Sequence, residues 1–400
     1  MELQPEIYLH LAIAFLAASL FYLVIPGAGA FYVRSTWRRF RRTLLKAVRF
    51  PLVDYGTIHG NEEGFAGCHR FFGRLQAFAG DEAVWLSDGK TSLRVHLEHT
   101  PVYILSSMPS PALQEGRYRF PEESPRRVAW SSIGPLPEYT QFFVAGGLYR
   151  ETSGAYLTDT ADCPLTVIIY EGQARDLIPG AIWSGRQRNE YWNLFTPWSL
   201  AFGSLLLFIH FYLIVRYPAL HLPAVFTATL ALFPLISLAP PGLFFYYLYR
   251  SLWRRGRQLR AVRDLLRIPT SLCASDEMGE SERPGCTLAY GERYVLERFH
   301  LLPGSSEMGP EVWRLDVPEM QSEEHDGYYV FAAEREQGEQ LRSPQDPAAR
   351  AMLIPGNPYL LAERCEKRAI RSELLAVLLF LAGTLLNGFI LFVALMYILR

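Results

Sequence analysis

Gly89-Lys90-Thr91 is the first run that invites chemistry, because it ends like the loop that cradles nucleotide phosphates. That loop also needs an earlier glycine, at a place held here by Val84. Asp88-Gly89 is better read as a hairpin turn. His59, Cys68, His69, His96, Glu98 and His99 carry metal-ligand chemistry, but no pair has the spacing of a zinc site. On a strand, His96 and Glu98 share a face while His99 points away. Gly304-Ser305-Ser306 lacks the GxSxG spacing of a nucleophile elbow. Asp162 and Asp346 each lie just ahead of a proline, Pro164 and Pro347, where aspartate commonly initiates a turn. No catalytic, cofactor-binding or metal-binding set is assigned, and no cofactor is expected.

These residues sit in polar blocks between long apolar runs. The chain has 400 residues, 50% hydrophobic and 14% aromatic, with a net charge of −1. A balanced charge gives no bulk basic character, so nucleic acid is not an expected partner. Lysine occurs only at Lys46, Lys90 and Lys367, and arginine carries the positive charge. Cys68, Cys163, Cys273, Cys286 and Cys365 form no CxxC pair. An odd, scattered set reads as free thiols in a reducing compartment.

A helix needs roughly 20 apolar residues to cross a bilayer. Four stretches meet that requirement, and the organisation follows from them. Residues 1–33 hold the first transmembrane helix, 34–50 a basic juxtamembrane helix and 51–193 a cytoplasmic β-rich domain. The second and third transmembrane helices cover 194–215 and 222–249. A second basic helix covers 250–268, a shorter cytoplasmic β-rich domain 269–373, and the fourth transmembrane helix 374–399. Pro26, Pro234, Pro240 and Pro241 should kink or break the first and third spans, which a bilayer tolerates when neighbouring helices satisfy the freed backbone.

Arginine placement sets the orientation. Arg34, Arg38, Arg39, Arg41, Arg42, Lys46 and Arg49 follow the first span, and Arg250, Arg254, Arg255, Arg257, Arg260, Arg263 and Arg267 follow the third. The link between the second and third spans has only Arg216. Both large polar segments should be cytoplasmic, with both termini outside, in the inner (cytoplasmic) membrane. Ala28-Gly29-Ala30 resembles a signal cleavage site, but the acidic start and the arginine block favour an uncleaved anchor.

The chain also repeats itself. RSTWRRFR from Arg34 matches RSLWRRGR from Arg250, and Trp37 aligns with Trp253. Phe142-Phe143-Val144 aligns with Tyr328-Tyr329-Val330, Arg150-Glu151 with Arg335-Glu336, Asp162 with Asp346, Gly172 with Gly356, and Arg216 with Arg400. These matches keep their order while the offset drifts one way, as expected of a tandem duplication with a shorter second copy. The fold class read from this is an α-helical membrane protein with four transmembrane helices and β-rich cytoplasmic domains, duplicated in parallel. The two copies should be related by a pseudo-twofold axis along the membrane normal. The aromatic segments 142–144 and 328–330 either meet across that axis or are core strands of their own domains.

Strand-like runs in the first domain cover 71–78, 83–86, 92–97, 102–105, 117–120, 141–149 and 165–170. They suggest a small OB-like barrel or a sandwich. In the second domain the runs are 294–302, 312–317, 328–333 and 351–354, after an acidic stretch with Asp276, Glu277, Glu280 and Glu282 that reads as a loop.

The basic helices are weakly amphipathic: Trp37, Phe40, Leu44 and Val48 share a face, as do Leu252, Leu259, Val262 and Leu266. Arg34, Trp37, Arg38, Arg39, Arg41, Arg42, Arg250, Trp253, Arg254, Arg255 and Arg257 are the candidate contacts to the bilayer and its anionic lipids. Such collars more often serve only as topology signals lying on the membrane. His210 and Asn387 are the polar residues read within the spans, each expected to hydrogen-bond between helices. The leading functional reading is a non-enzymatic scaffold or assembly factor that presents paired β-domains to protein partners at the cytoplasmic membrane surface. The alternatives are a small transporter or channel subunit, and a membrane-tethered enzyme with an unrecognised site.

Overall fold

The structure is a computed structural model and describes residues 5–60, 62–80, 82–98, 100–105, 125–152, 154–184, 186, 190–236, 239–273, 294–302, 312–315, 327–333, 344, 346–347 and 349–399. Helices are α1 (Pro5–Ala47), α2 (Tyr55–Ile58), α3 (Ala174–Trp183), α4 (Thr196–Ile214), α5 (His221–Ile236), α6 (Gly242–Leu272) and α7 (Pro358–Ile398). The chain divides into two compact units. One comprises Met1–Arg39, Asn189–Arg257 and Arg368–Arg400; the other comprises Phe40–Arg188 and Gln258–Lys367.

The first unit is helical. Four helices are long and apolar enough to span a membrane: Pro5–Ala47, Thr196–Ile214, Pro218–Ile236 and Pro358–Ile398. Their outward faces carry large apolar side chains, among them Leu16, Phe31, Leu213 and Leu385, each 60% exposed or more. Ala14, Ala18, Tyr22, Leu207 and Ala231 form the inner contact. Gly203 lets α4 approach α1 closely, because a Cβ there would lie 2.5 Å from the Phe21 Cβ.

Proline shapes two of these helices. Pro26 has no N–H to give to the carbonyl of Tyr22, and a π-turn over Leu20–Val24 immediately precedes it. The Tyr191 hydroxyl donates to that Tyr22 carbonyl at 2.6 Å, and Ser199 Oγ donates to the Phe21 carbonyl at 2.6 Å. Around Pro240 and Pro241 the chain leaves the helix after Ile236 and re-enters it at Gly242. The stretch read as one third span, 222–249, is therefore two helices. Asn387 Nδ2 donates to the Ile236 and Ala239 carbonyls at 2.6 and 2.8 Å, and Asn387 Oδ1 accepts from Gly242 N at 3.2 Å.

The second unit holds two sheets. The larger contains β1 (Gly64–Phe78), β2 (Ala83–Ser87), β3 (Ser92–His96), β4 (Pro101–Ile104), β5 (Arg126–Ala129), β6 (Gln141–Glu151), β7 (Gly154–Thr158) and β8 (Thr166–Tyr170). Its order is β1-β2-β3-β7-β6-β8-β4-β5, and β1 also pairs with β6. Strands β1, β2, β3, β7 and β6 thus close into a barrel, with β3 and β7 parallel and the other neighbours antiparallel. Strand β1 closes it by pairing with β6 up to Arg74 and with β2 from Arg74 onward. Alternate residues fill the interior, including Phe71, Leu75, Leu86, Val95, Phe142 and Leu157.

Asp88-Gly89 makes the β2–β3 hairpin. Asp88 Oδ1 accepts from Lys90 N and Thr91 N at 2.8 and 2.7 Å, and Gly89 takes φ +91°. That places the phosphate-loop lookalike in a turn.

The smaller sheet contains β9 (Tyr294–Phe299), β10 (Trp313–Arg314), β11 (Tyr328–Ala333) and β12 (Met352–Pro355), in the order β10-β12-β11-β9. Val330, Ala332 and Leu353 are its buried centre. The segments 142–144 and 328–330 lie in β6 and β11, each an interior strand of its own sheet. The expected run over 117–120, the acidic loop, Gly304-Ser305-Ser306, Arg335-Glu336, His99, Cys286 and Arg400 lie outside the described residues.

The cysteines depart from expectation. Cys68 on β1 and Cys163, after β7, form a disulfide with a Cα–Cα distance of 5.6 Å. Cys273 and Cys365 are buried. The bond pins the loop after β7, which crosses β6 where Gly146 and Gly147 leave room: a Cβ on Gly147 would lie 2.7 Å from Thr160.

Candidate functional site

The outer face of the barrel carries a row of partly exposed rings. Phe65 on β1, Tyr149 on β6, Tyr156 on β7 and His96 on β3 come from four adjacent strands. Phe65–Tyr149, Tyr149–Tyr156 and His96–Tyr156 centroids are 5.4, 5.7 and 4.8 Å apart, and the two tyrosines stack at 13°. The register explains the row: Tyr149 pairs with Phe65 on one side and Tyr156 on the other. The Arg94 guanidinium lies 5.3 Å from the Tyr156 ring centroid and 3.8 Å from Glu151. Burial, then the Arg94 charge, holds the His96 imidazole below its ordinary pKa, which favours a neutral ring. Aromatics with an arginine, held on closed strands, are the composition of a protein-binding hot spot.

Compared with protein-family models, curated proteins and solved structures, the chain matches none. Its chemistry is read from its own residues.

The basic collars are parts of longer helices. Each continues the helix of the preceding apolar stretch, in α1 and in α6. Phe40, Leu44, Val48, Leu259, Val262 and Leu266 are buried within the protein. Arg38, Arg39, Arg42, Arg250 and Arg255 are exposed, while Arg41, Trp37, Trp253 and Arg254 are half-buried. Arg41 donates to the Ser184 carbonyl at 3.3 Å. Arg257, one of the candidate lipid contacts, is 4% exposed, lies 2.5 Å from Glu190 and 3.8 Å from Glu373, and covers the Trp253 ring at 4.6 Å. Arg34 joins this cluster at 3.5 Å from Glu373. A buried guanidinium needs such carboxylates, since desolvation without a partner is costly.

The two polar residues of the apolar helices separate. Asn387 makes the three interhelical bonds described above. His210 faces His10 of α1 with ring centroids 5.3 Å apart. His10 was missed from sequence, although it lies in the first apolar stretch. His10 Nδ1 and His210 Nε2 are buried without a hydrogen-bond partner.

The repeated aspartates also separate. Asp346 is 2% exposed and binds Arg70 through both carboxylate oxygens, at 2.7 Å for Oδ1; Tyr294 donates its hydroxyl to Asp346 at 2.6 Å. Arg70 also donates to the Phe50 carbonyl at 2.5 Å. Asp162 is exposed, and its backbone carbonyl accepts from Lys46 at 3.0 Å. A second buried pair joins Arg186 to Asp264. Burial opposes that carboxylate, but Arg186 and Arg263 outweigh it and hold its pKa below the ordinary value. Of the metal candidates, Cys68 is consumed by the disulfide, and His96 packs edge-on against the Tyr156 ring.

Proposed function

We propose that this chain is a scaffold or assembly factor of the inner membrane. Four spans anchor it, and its β-domains offer a docking face to partner proteins on the cytoplasmic side. The observation that carries this reading is the stacked aromatic row on the closed barrel. Its rings are ordered by strand pairing rather than by a ligand, so binding would order little that is not already fixed.

The strand order supports an OB-like barrel, a small Greek-key architecture whose outer face serves as a binding surface. It also supports the duplication. In chain order, β1, β4, β6 and β8 match β9, β10, β11 and β12. The spatial order β4-β8-β6-β1 parallels β10-β12-β11-β9, with β4–β8 and β10–β12 parallel and the other pairs antiparallel. Gly172 and Gly356 follow β8 and β12 with φ +105° and +102°, each just ahead of a helix. Among the described residues, the second sheet lacks counterparts of β2, β3 and β7, which fits its shorter length.

Arginine density favours the cytoplasmic side for both domains. The Cys68–Cys163 disulfide pulls the other way, because such bonds persist in oxidising compartments. Two collars of basic residues, against Arg216 alone in the opposite link, decide the proposal. The transporter reading is weaker. Broken helices in transporters line cavities, whereas here Tyr191, Ser199 and Asn387 satisfy the freed carbonyls.

A photoreactive amino acid at Tyr156 tests the docking face in native membranes. One discrete protein adduct is expected, lost when Tyr149→Ala is added and absent when the probe sits at Lys90 on the hairpin tip. Equal labelling from both positions, or lipid adducts alone, would sink the reading.

A further inference from the structure

A second surface of the barrel, away from the aromatic row, has the chemistry of a small-anion site. It is a groove of about 840 Å³ beside β1, β6 and the start of α3. A single cross-strand line runs through it: Arg74 on β1 pairs with Gln141 on β6, and Gln141 pairs with Tyr170 on β8. Residues directly opposite on adjacent strands share a face, so these three side chains stand side by side. The neighbouring line on that face, Phe72–Phe143–Ile168, is apolar and buried.

Three features of the groove can donate hydrogen bonds to a ligand. The Arg74 guanidinium is exposed and makes no ion pair or hydrogen bond with any described residue. Tyr170 is only 6% exposed, and its hydroxyl, which has no hydrogen-bond partner among the described residues, lines the groove. Helix α3 starts at this groove with Gln173 as an N-cap that makes no side-chain capping bond; the Gln173 side chain accepts from Arg175 instead. The Ala174 and Arg175 N–H groups therefore begin the helix uncapped, where the dipole favours negative charge. Burial pushes the Tyr170 hydroxyl up in pKa, so it stays a donor at neutral pH; the Arg74 charge acts against that shift. Each of these features can donate a proton, while Asp88 and Glu138 in the same lining are acceptors.

We propose that the groove binds one phosphate or carboxylate group of a small ligand, held by Arg74, the Tyr170 hydroxyl and the first N–H groups of α3. Charge limits the ligand's size. Asp88 and Glu138 also line the groove and repel a second negative charge, so a polyanion such as nucleic acid is disfavoured. Tyr139, 70% exposed and held at φ +65°, presents a ring in the same lining for the body of the ligand. Because Phe142 aligns with Tyr328, the second-copy counterpart of Gln141 is Gly327, which has no side chain to complete such a line. The inference does not depend on the scaffold reading, because it concerns a different face.

The test uses the full chain in phosphatidylcholine nanodiscs, titrated with inorganic phosphate and separately with acetate by calorimetry. Saturable binding to one site is expected. Arg74→Gln should weaken it at least about 10-fold, as loss of a charge-assisted bond does. Tyr170→Phe should weaken it about 3-fold or more, and Arg126→Gln on the exposed edge strand should leave it unchanged. Repeating the phosphate titration in phosphatidylglycerol nanodiscs separates two sources of the anion. Competition there identifies a lipid phosphate, and unchanged affinity a soluble ligand. The proposal is overturned if neither anion binds the native chain, or if Arg74→Gln, with unaltered near-UV circular dichroism, binds phosphate as well as the native chain.

Discussion

The Tyr191 hydroxyl donates to the carbonyl of Tyr22, the acceptor that Pro26 leaves without its helical N–H. Asn387 does the same for the broken backbone between Ile236 and Gly242. In both places a side chain far away in sequence replaces what proline removes. Removing one bond by Tyr191→Phe should cost about 1 kcal/mol, and removing three by Asn387→Leu about 2–3 kcal/mol. Reversible unfolding in mixed micelles measures both. Equal, negligible losses would mean that these bonds do not hold the broken helices.

Arg70 and Asp346 form a pair that is almost wholly buried, with Tyr294 completing the carboxylate's shell. Asp346→Leu alone strands the guanidinium and should destabilise the β-sheet unit by about 3–5 kcal/mol. The double variant Arg70→Met/Asp346→Leu should recover much of that loss, because neither charge is then buried alone. Denaturant melts of the three variants give the comparison; a double variant no better than the single one refutes it.

His69 is 8% exposed, and burial holds its imidazole below the ordinary pKa of about 6.5, with Arg150 acting the same way and Asp54 against it. The unfolded chain then binds the proton more readily than the folded chain. Stability from this group is full above about pH 6.5 and is lost as pH falls toward the folded pKa. His96 contributes with the same sign. Melting temperature should therefore drop between about pH 7.5 and 5.5, with a smaller drop in His69→Gln. An identical slope in the variant would remove His69 from the account.

The sequence made much of this legible. Strand-like apolar runs located β2, β3, β4, β6, β8 and the second half of β1, and Asp88-Gly89 located the hairpin. Long apolar runs located the four helices. What it hid depends on distant partners. Strand β7 is short and pairs in parallel with β3, so nothing local announces it or the closed barrel. Arg257 looked like one more collar arginine until Glu190 and Glu373 were beside it. Arg74, Gln141 and Tyr170 are unremarkable residues on separate strands, and only the register lines them up. The Cys68–Cys163 bond joins residues 95 apart, a pairing that an odd cysteine count gives no means of choosing.

That bond should matter only where it is oxidised. Under oxidising conditions Cys163→Ser is expected to lower stability by about 2–4 kcal/mol, and under excess reductant by much less. Paired denaturant melts test this. A loss that is the same in both conditions assigns the effect to packing of the buried Cys163 side chain instead.

The side of the membrane on which the barrel lies tests the proposed function most directly. With native cysteines replaced by serine, single cysteines at Ser132, in the β-sheet unit, and at Tyr217, in the link before α5, can be probed with a membrane-impermeant maleimide on intact cells. The account predicts labelling at Tyr217→Cys in intact cells and at Ser132→Cys only after permeabilisation. Labelling of Ser132→Cys from outside, with Tyr217→Cys protected, would put the barrel and its disulfide in the oxidising compartment and contradict a cytoplasmic scaffold.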